Sequence, residues 1–372
     1  MAQANTMIEV RDEVKKFGKV VAVDHVSFKV KEGEILGLLG PSGCGKTTIL
    51  RSIAGLEEIN EGEILLDDQL VTSISKKIFV PAEKRKLGFV FQSYALWPHM
   101  TVKENLKYCL QSSKFPKEEV EKRIKDALEI VGLSGLEDRY PSQLSGGQQQ
   151  RIALARNISY HPKVLLLDEP LSNLDLQVRE RVRGELRSLL KRIGITSIFV
   201  THDQEEAFVI SDRTILLNKG RMVQEGTPND LYLKPANSFV AEFIGRTNVL
   251  KASLVQDMPE KKMVRLAIAE FGTEMTSQYE GELPKDIAYV TIRYNEIGLS
   301  SAKPATDENV VKGEILSREY RGSVTDHKIR VGNAQIIVTT HRFCNSSETP
   351  SGSGSIFLRI SPHAIRPLAA SD

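Results

Sequence analysis

Gly40-Pro41-Ser42-Gly43-Cys44-Gly45-Lys46-Thr47-Thr48 follows the apolar run Ile35-Leu36-Gly37-Leu38-Leu39 and carries the spacing GxxxxGK[ST]. Glycine at 40, 43 and 45 lets the backbone turn tightly and aim its N–H groups at phosphate oxygens, and a helix predicted to begin near Lys46 adds its positive dipole end. Lys46 is therefore expected to reach the β and γ phosphates of a nucleotide, and the Thr47 hydroxyl to ligate Mg²⁺. The competing reading, a glycine-rich turn that matches by chance, is weakened by the strand, loop and helix context.

Outward from this stretch, Val164-Leu165-Leu166-Leu167-Asp168-Glu169-Pro170 is a short apolar strand ending in two acids. Parallel strands buried on both faces read this way, and ligands of open α/β sheets bind beyond the strands' C-terminal ends. Asp168 is placed to hold a metal shell and Glu169 to take a proton from an attacking water. His202 follows the strand-like run Ser197-Ile198-Phe199-Val200-Thr201, and Gln92 follows Leu87-Gly88-Phe89-Val90-Phe91, so both are expected at the same sheet edge. Taken alone, each is more simply a structural polar side chain.

The chain has 372 residues, enough for two domains. Its 50 Lys plus Arg nearly balance 48 Asp plus Glu, so the charge supplies no broad basic face and no nucleic acid partner is expected. Strands alternate with helical stretches as far as Gly245, the pattern of an α/β domain. From Arg246 onward short runs such as Ile287-Ala288-Tyr289-Val290 and Ile356-Phe357-Leu358 lie between Gly, Pro, Ser and Asn, and predict a small β-rich domain over 246–372. Asn345–Ser355, rich in Ser and Gly, reads as a mobile loop. Helical spacing of Val120, Ile124, Leu128 and Val131 predicts a surface helix over 117–133. No apolar run approaches the roughly 20 residues of a membrane-spanning helix, and the start shows no secretory pattern. A cytosolic chain with Cys44, Cys109 and Cys344 as reduced bystanders is the expectation.

Between the phosphate loop and the acidic strand stands Leu144-Ser145-Gly146-Gly147-Gln148-Gln149-Gln150-Arg151. In isolation it reads as a helix N-cap at Ser145. With Gln92 before it, and Ser172-Asn173-Leu174-Asp175 and His202 after, the ordered set resembles an ABC-type ATPase. The resemblance implies a P-loop NTPase of ABC type, with a mixed sheet core over 1–245 and a helical subdomain at about 93–160, followed by an OB-like domain. It implies ATP and Mg²⁺ as ligands, held by Gly40 to Thr48 and Asp168, with Gln92 sensing the metal. It also implies that Ser145 and Gly147 face the γ-phosphate bound to a second copy, with Gly146, Gln148 and the D-loop residue Asp175 among the nucleotide-binding residues, and that His202 contacts the γ-phosphate. Phe17 falls where the family stacks an aromatic ring on adenine; tyrosine is usual there, and Phe17 keeps the π face without the hydroxyl.

The β-rich tail resembles that of binding-protein-dependent importer ATPases for sugars, ferric iron, polyamines and related solutes. Its IRPE-like strand end is Ile292-Arg293-Tyr294-Asn295-Glu296 here, and a later Ile365-Arg366-Pro367-Leu368 lacks the acid. The resemblance implies separate transmembrane permease subunits, an external solute-binding protein, a peripheral place on the cytoplasmic face of the membrane, and a sugar or ferric iron as solute. In such proteins the stretch after Gln92 receives a permease helix, so Tyr94, Trp97, Pro98 and Met100 are expected to line that cleft. The alternatives are a non-transport ATPase acting on ribosome or DNA, a binding module with little hydrolysis, and an exporter ATPase.

Overall fold

A computed structural model describes residues 5–112, 115–279, 283–284, 286–304, 309–341 and 354–369. The chain divides into two compact units at Pro228/Asn229. Among the described residues no helix is long and apolar enough to cross a membrane.

In the first unit a six-stranded sheet runs, in spatial order, through Arg221–Gly226, Arg213–Asn218, Ile35–Leu39, Thr196–Thr201, Val164–Asp168 and Gly88–Val90. The first pair is antiparallel and the other four pairings are parallel. The continuous apolar runs are explained by cover on both faces. Leu165 and Leu167 point into one core with the helical lobe, whereas Val164 and Leu166 point into another with helix α1 (Lys46–Ala54). That second core is closed by an antiparallel sheet in the order Val20–Lys31, Thr6–Phe17, Glu61–Leu66, Gln69–Ser73, Ile78–Phe79. Sequence periodicity did not separate this sheet from the parallel one.

The helical lobe contains α2 (Val102–Ser112), α3 (Lys117–Ile130) and α4 (Gly146–Ile158). Helix α3 buries Val120, Ile124, Ala127 and Leu128 and stops before the expected residue 133, because Val131 is its cap and Gly132 takes φ +69°. α5 (Leu176–Ile193) and α6 (Gln204–Ile210) follow the strands that end at Asp168 and Thr201.

In the second unit the described residues form two antiparallel five-stranded sheets that share one apolar core. Their ten strands are twice the number in a single OB barrel. Asn248 bonds Ile337 in both directions, at 2.8 and 2.9 Å, and so ties one sheet to the other. The unit starts before the boundary read at residue 245, because Arg293 reaches back: its guanidinium, 1% exposed, donates to Ala241 O at 2.8 Å and Tyr232 O at 2.9 Å. The two IRPE-like segments are mates in one sheet, with Ile292 opposite Ile365. Arg366 makes a two-pronged bond to Glu296 at 2.5 and 2.7 Å, so the acid missing after Arg366 comes from the turn Tyr294–Glu296 that follows the other strand. Most of the loop read at 345–355 lies outside the described residues.

Candidate nucleotide site

Three parallel strands end side by side. Leu39 is in register with Thr201, and Val200 with Asp168. The residues that follow them, Gly40, Glu169 and His202, therefore leave the sheet at one edge, where Gln92 also emerges after Gly88–Val90. Crevices at such edges are where α/β sheets bind ligands.

The phosphate loop joins Ile35–Leu39 to α1. Gly45, the residue before the helix, holds φ +104°, and a Cβ there would lie 2.4 Å from Ala22 O, so any side chain would break the turn. Cys44 N donates to Pro41 O at 3.3 Å, while Gly220 N donates to Cys44 O at 3.2 Å and pins the loop from outside. The Lys46 ammonium lies inside the loop and donates to Gly40 O and Pro41 O, both at 2.8 Å. Ser42 and Gly43 are exposed at the rim. Thr48 O accepts from Ser52 Oγ at 3.0 Å within α1.

Thr47 Oγ1 donates to Asp168 Oδ1 at 2.8 Å. Burial raises the Asp168 pKa above its ordinary value, and this hydrogen bond pulls it partly back. A hydroxyl and a carboxylate are hard oxygen donors that fit Mg²⁺. Among the described residues no group of three or more His, Cys, Asp or Glu forms a metal cage, so the remaining ligands of such an ion would be phosphate oxygens and water.

Beside Asp168, Glu169 occupies the left-handed region at φ +44°, unusual for a residue with a side chain. Its N–H donates to Val200 O at 3.1 Å, which holds this strained backbone against the neighbouring strand. Its carboxylate stands between two of the expected residues: Gln92 Nε2 is 3.4 Å from Oε2 and His202 Nδ1 is 3.2 Å from Oε1. Asn173 Nδ2 donates to Gln92 O at 2.7 Å, and Ser172 Oγ to Glu169 O at 2.9 Å. The D-loop is thus bonded to two members of the cluster, and Asn173 joins the site for a reason no motif spacing revealed.

Ser145 to Gln148 stand apart from this cluster. Ser145 caps α4 in a reciprocal pair: Gln148 N to Ser145 Oγ at 3.4 Å, and Ser145 N to Gln148 Oε1 at 2.9 Å. Space at Gly146 and Gly147 is bounded by Leu174, Val178 and Val182 of the D-loop and α5, while Ser145 and Gly146 are exposed. Asp175 caps α5 by accepting from Val178 N at 3.0 Å. Phe17 ends its strand with its side chain 49% exposed, and the Lys15 ammonium sits 4.7 Å from its ring centre. The ring is a surface π face, as stacking requires.

The stretch after Gln92 is only partly a surface. Tyr94 is 4% exposed and its hydroxyl has no hydrogen-bond partner; burial pushes its pKa up to about 12. It belongs to the core of the helical lobe rather than to a lining. Trp97, Pro98 and Met100 remain partly or fully exposed. Trp97 packs on Tyr108 at 4.7 Å and beneath Arg156 at 5.0 Å, while Asn105 bonds Trp97 N and O and Met100 O. Arg156 donates to Tyr94 O and Ala95 O at 2.9 and 2.6 Å, and so holds the loop in shape.

A phosphate cradle, a hydroxyl and carboxylate pair, and a carboxylate flanked by an amide and an imidazole are the parts that phosphoryl transfer to water needs. Comparison with known proteins agrees. The ABC transporter family model matches residues 23–172. The trehalose/maltose import ATP-binding protein MalK of Thermococcus litoralis is 50% identical over 340 residues, 88% of each chain. The spermidine/putrescine import ATP-binding protein PotA of Mannheimia succiniciproducens is 41% identical over 94% of this chain and 91% of its own. Among solved structures, CbiO1 of Clostridium perfringens, part of the ABC transporter complex CbiONQ, superposes with TM-score 0.56 at 28% identity, over 62% of this chain and 92% of its own. A dimeric ATP-binding cassette in a post-hydrolysis state bound to ADP and Pi gives TM-score 0.51 at 32% identity, over 59% of this chain and 98% of its own. With the two import proteins matched over 88% and 94% of its length, the chain belongs to the ABC transporter family, among its importer-type ATPases.

Proposed function

We propose that this chain hydrolyses ATP with Glu169 as the base that receives a proton from the attacking water, and that it does so in a head-to-tail pair of copies. The observation that carries the reading is the Glu169 carboxylate held between Gln92 Nε2 and His202 Nδ1, at 3.4 and 3.2 Å, beside the Thr47–Asp168 pair. Lys46 exchanges its two loop carbonyls for β and γ phosphate oxygens, and His202 contacts the γ-phosphate and orients the water. Thr47 and Asp168 would hold Mg²⁺, which when bound would neutralise charge on the phosphates, and Gln92 would sense it. Phe17 stacks on adenine. The Ser145–Gln148 cap, exposed at Ser145 and Gly146 and bonded within itself rather than to the phosphate loop, supports its use on the nucleotide of a second copy through N–H groups at the start of α4. The solved dimeric cassette bound to ADP and Pi supports a dimer as the working unit.

Import relatives support transmembrane permease subunits as partners, with an external solute-binding protein beyond them, and hence a peripheral place on the cytoplasmic membrane face. Trp97, Pro98 and Met100 are the residues available to meet a permease helix. For the solute, the named relatives favour a polyamine or a disaccharide. Ferric iron gains no support from them, and neither does action on ribosome or DNA. The test is phosphate release with and without Mg²⁺: the purified chain turns over only with the metal, and Glu169→Gln binds ATP but loses turnover. Wild-type hydrolysis by that variant sinks the reading.

A further inference from the structure

Arg179 lies in the first turn of α5, just beyond the D-loop. Its Nη2 donates to the carbonyls of Ser172 at 3.2 Å and Leu174 at 3.0 Å, so the guanidinium closes the turn that gives the D-loop its shape. The Nε edge of the same group lies 3.7 Å from Glu206 Oε1. Glu206 is 3% exposed, and its other oxygen accepts from Thr201 Oγ1 at 2.6 Å. Thr201 is the residue before His202, and its hydroxyl accepts from Asp203 N at 3.0 Å, on the far side of the histidine. One turn further along α5, Arg183 donates to Asp203 at 3.2 Å and Glu205 at 2.6 Å. On one side of His202 the Thr201 hydroxyl is bonded to Glu206 of α6, which pairs with Arg179, and on the other the Asp203 carboxylate is bonded directly to Arg183 of α5.

Setting the partly buried Arg179, its side chain 22% exposed, against the buried Glu206 costs hydration, chiefly at the carboxylate, and an apolar pair of similar volume would do at least as well for stability. The ion pair, too long at 3.7 Å for a hydrogen bond and with no other partner for Arg179 Nε among the described residues, joins two loops that are distant in sequence, and the hydrogen bonds at its two ends, Nη2 to the D-loop carbonyls and Thr201 to Glu206, fix the geometry of each. Those two loops are the ones that must agree in space: the D-loop bonds Gln92 and Glu169 through Asn173 and Ser172, and the histidine loop presents His202 to Glu169.

We propose that Arg179 is a positioning residue for hydrolysis, which acts through Glu206 and Thr201 to hold His202 at Glu169 in step with the D-loop. The proposal rests on the catalytic reading of Glu169 and His202 given above. Arg179 touches neither nucleotide nor water in this account, so its removal affects the chemical step and leaves ground-state binding in place.

The test uses the full chain with Arg179→Met, Glu206→Gln and both together, and measures kcat, KM and the Kd of a non-hydrolysable ATP analogue. The expected result is a loss of about tenfold in kcat for each single variant, a Kd within about twofold of wild type, and a double variant no worse than the poorer single one. Glu206→Gln keeps its volume and the Thr201 hydrogen bond, so it decides the matter if Arg179→Met fails to fold. A kcat within twofold of wild type in Glu206→Gln, or losses that appear in Kd instead of kcat, or losses that multiply in the double variant, overturns the proposal. Glu169→Gln run alongside separates the two readings. If it is inactive while the Arg179 and Glu206 variants turn over normally, only the positioning role fails; if it turns over like wild type, the catalytic reading fails and takes this one with it.

Discussion

Glu13 is wholly buried beside α1, and neither of its carboxylate oxygens has a hydrogen-bond partner of good geometry, although the Ser52 hydroxyl lies near enough to favour the charged form slightly. Burial pushes its pKa from 4.5 up to about 8. A folded value above the unfolded one means that the folded state holds a proton the unfolded state has released. Its contribution is therefore fully present below about pH 4.5 and is lost as pH rises to about 8. Glu13→Gln should remove that slope, leave stability at pH 4.5 nearly unchanged, and raise it at pH 9 by an amount on the order of a few kcal/mol. Denaturant melts of both proteins across that range check this; parallel pH profiles would contradict it. Residues of this kind were not legible in the sequence. The places of Lys46, Thr47, Asp168 and Glu169 at one sheet edge were, because they follow from the elements immediately around them. Asn173, Arg179 and Glu206 were not, because their partners are backbone carbonyls or side chains of other loops, which leave no periodic trace. Tyr94 misled for the opposite reason: an aromatic beside exposed neighbours carries no sign of its own burial.

At the scale of the element, α1 is held at both ends. Gly45 shapes its start, and Arg85 finishes it. The Arg85 guanidinium is buried without a carboxylate, and its N–H groups donate to Ser52 O and Ile53 O of α1, to Val80 O, and to Thr72 Oγ1 and Val71 O of the antiparallel sheet. Desolvation lowers its pKa to about 10, so it stays charged at neutral pH and faces the negative end of the helix dipole. Arg85→Met leaves these acceptors buried without donors, and should cost about 3 kcal/mol in chemical denaturation. A loss below 1 kcal/mol would show that water replaces the guanidinium. The parallel strands were readable as unbroken apolar runs because helices and a second sheet cover both faces. The antiparallel sheet was not, since its strands carry bulges at Asp12–Lys15 and end in a two-residue strand at Ile78–Phe79.

For the whole molecule, the change of texture after residue 245 marked a second unit, but the chain enters that unit at Asn229. Arg293 is the reason, since it binds carbonyls of the two helices over 228–244 from inside the β-rich core. Arg293→Met should speed amide exchange in residues 238–244 while the strand Val164–Asp168 exchanges as in wild type; equal exchange in 238–244 would remove its anchoring role. In the proposed pair of copies, one chain supplies the phosphate loop and Glu169, and the other supplies the Ser145–Gln148 cap. Its most direct test is the mass of Glu169→Gln in solution with Mg²⁺ and ATP, by light scattering with counted nucleotide. The expected species is a dimer retaining two ATP, which reverts to monomers when Ser145→Arg is added. A chain that stays monomeric while saturated with ATP, or a dimer indifferent to Ser145→Arg, would contradict it.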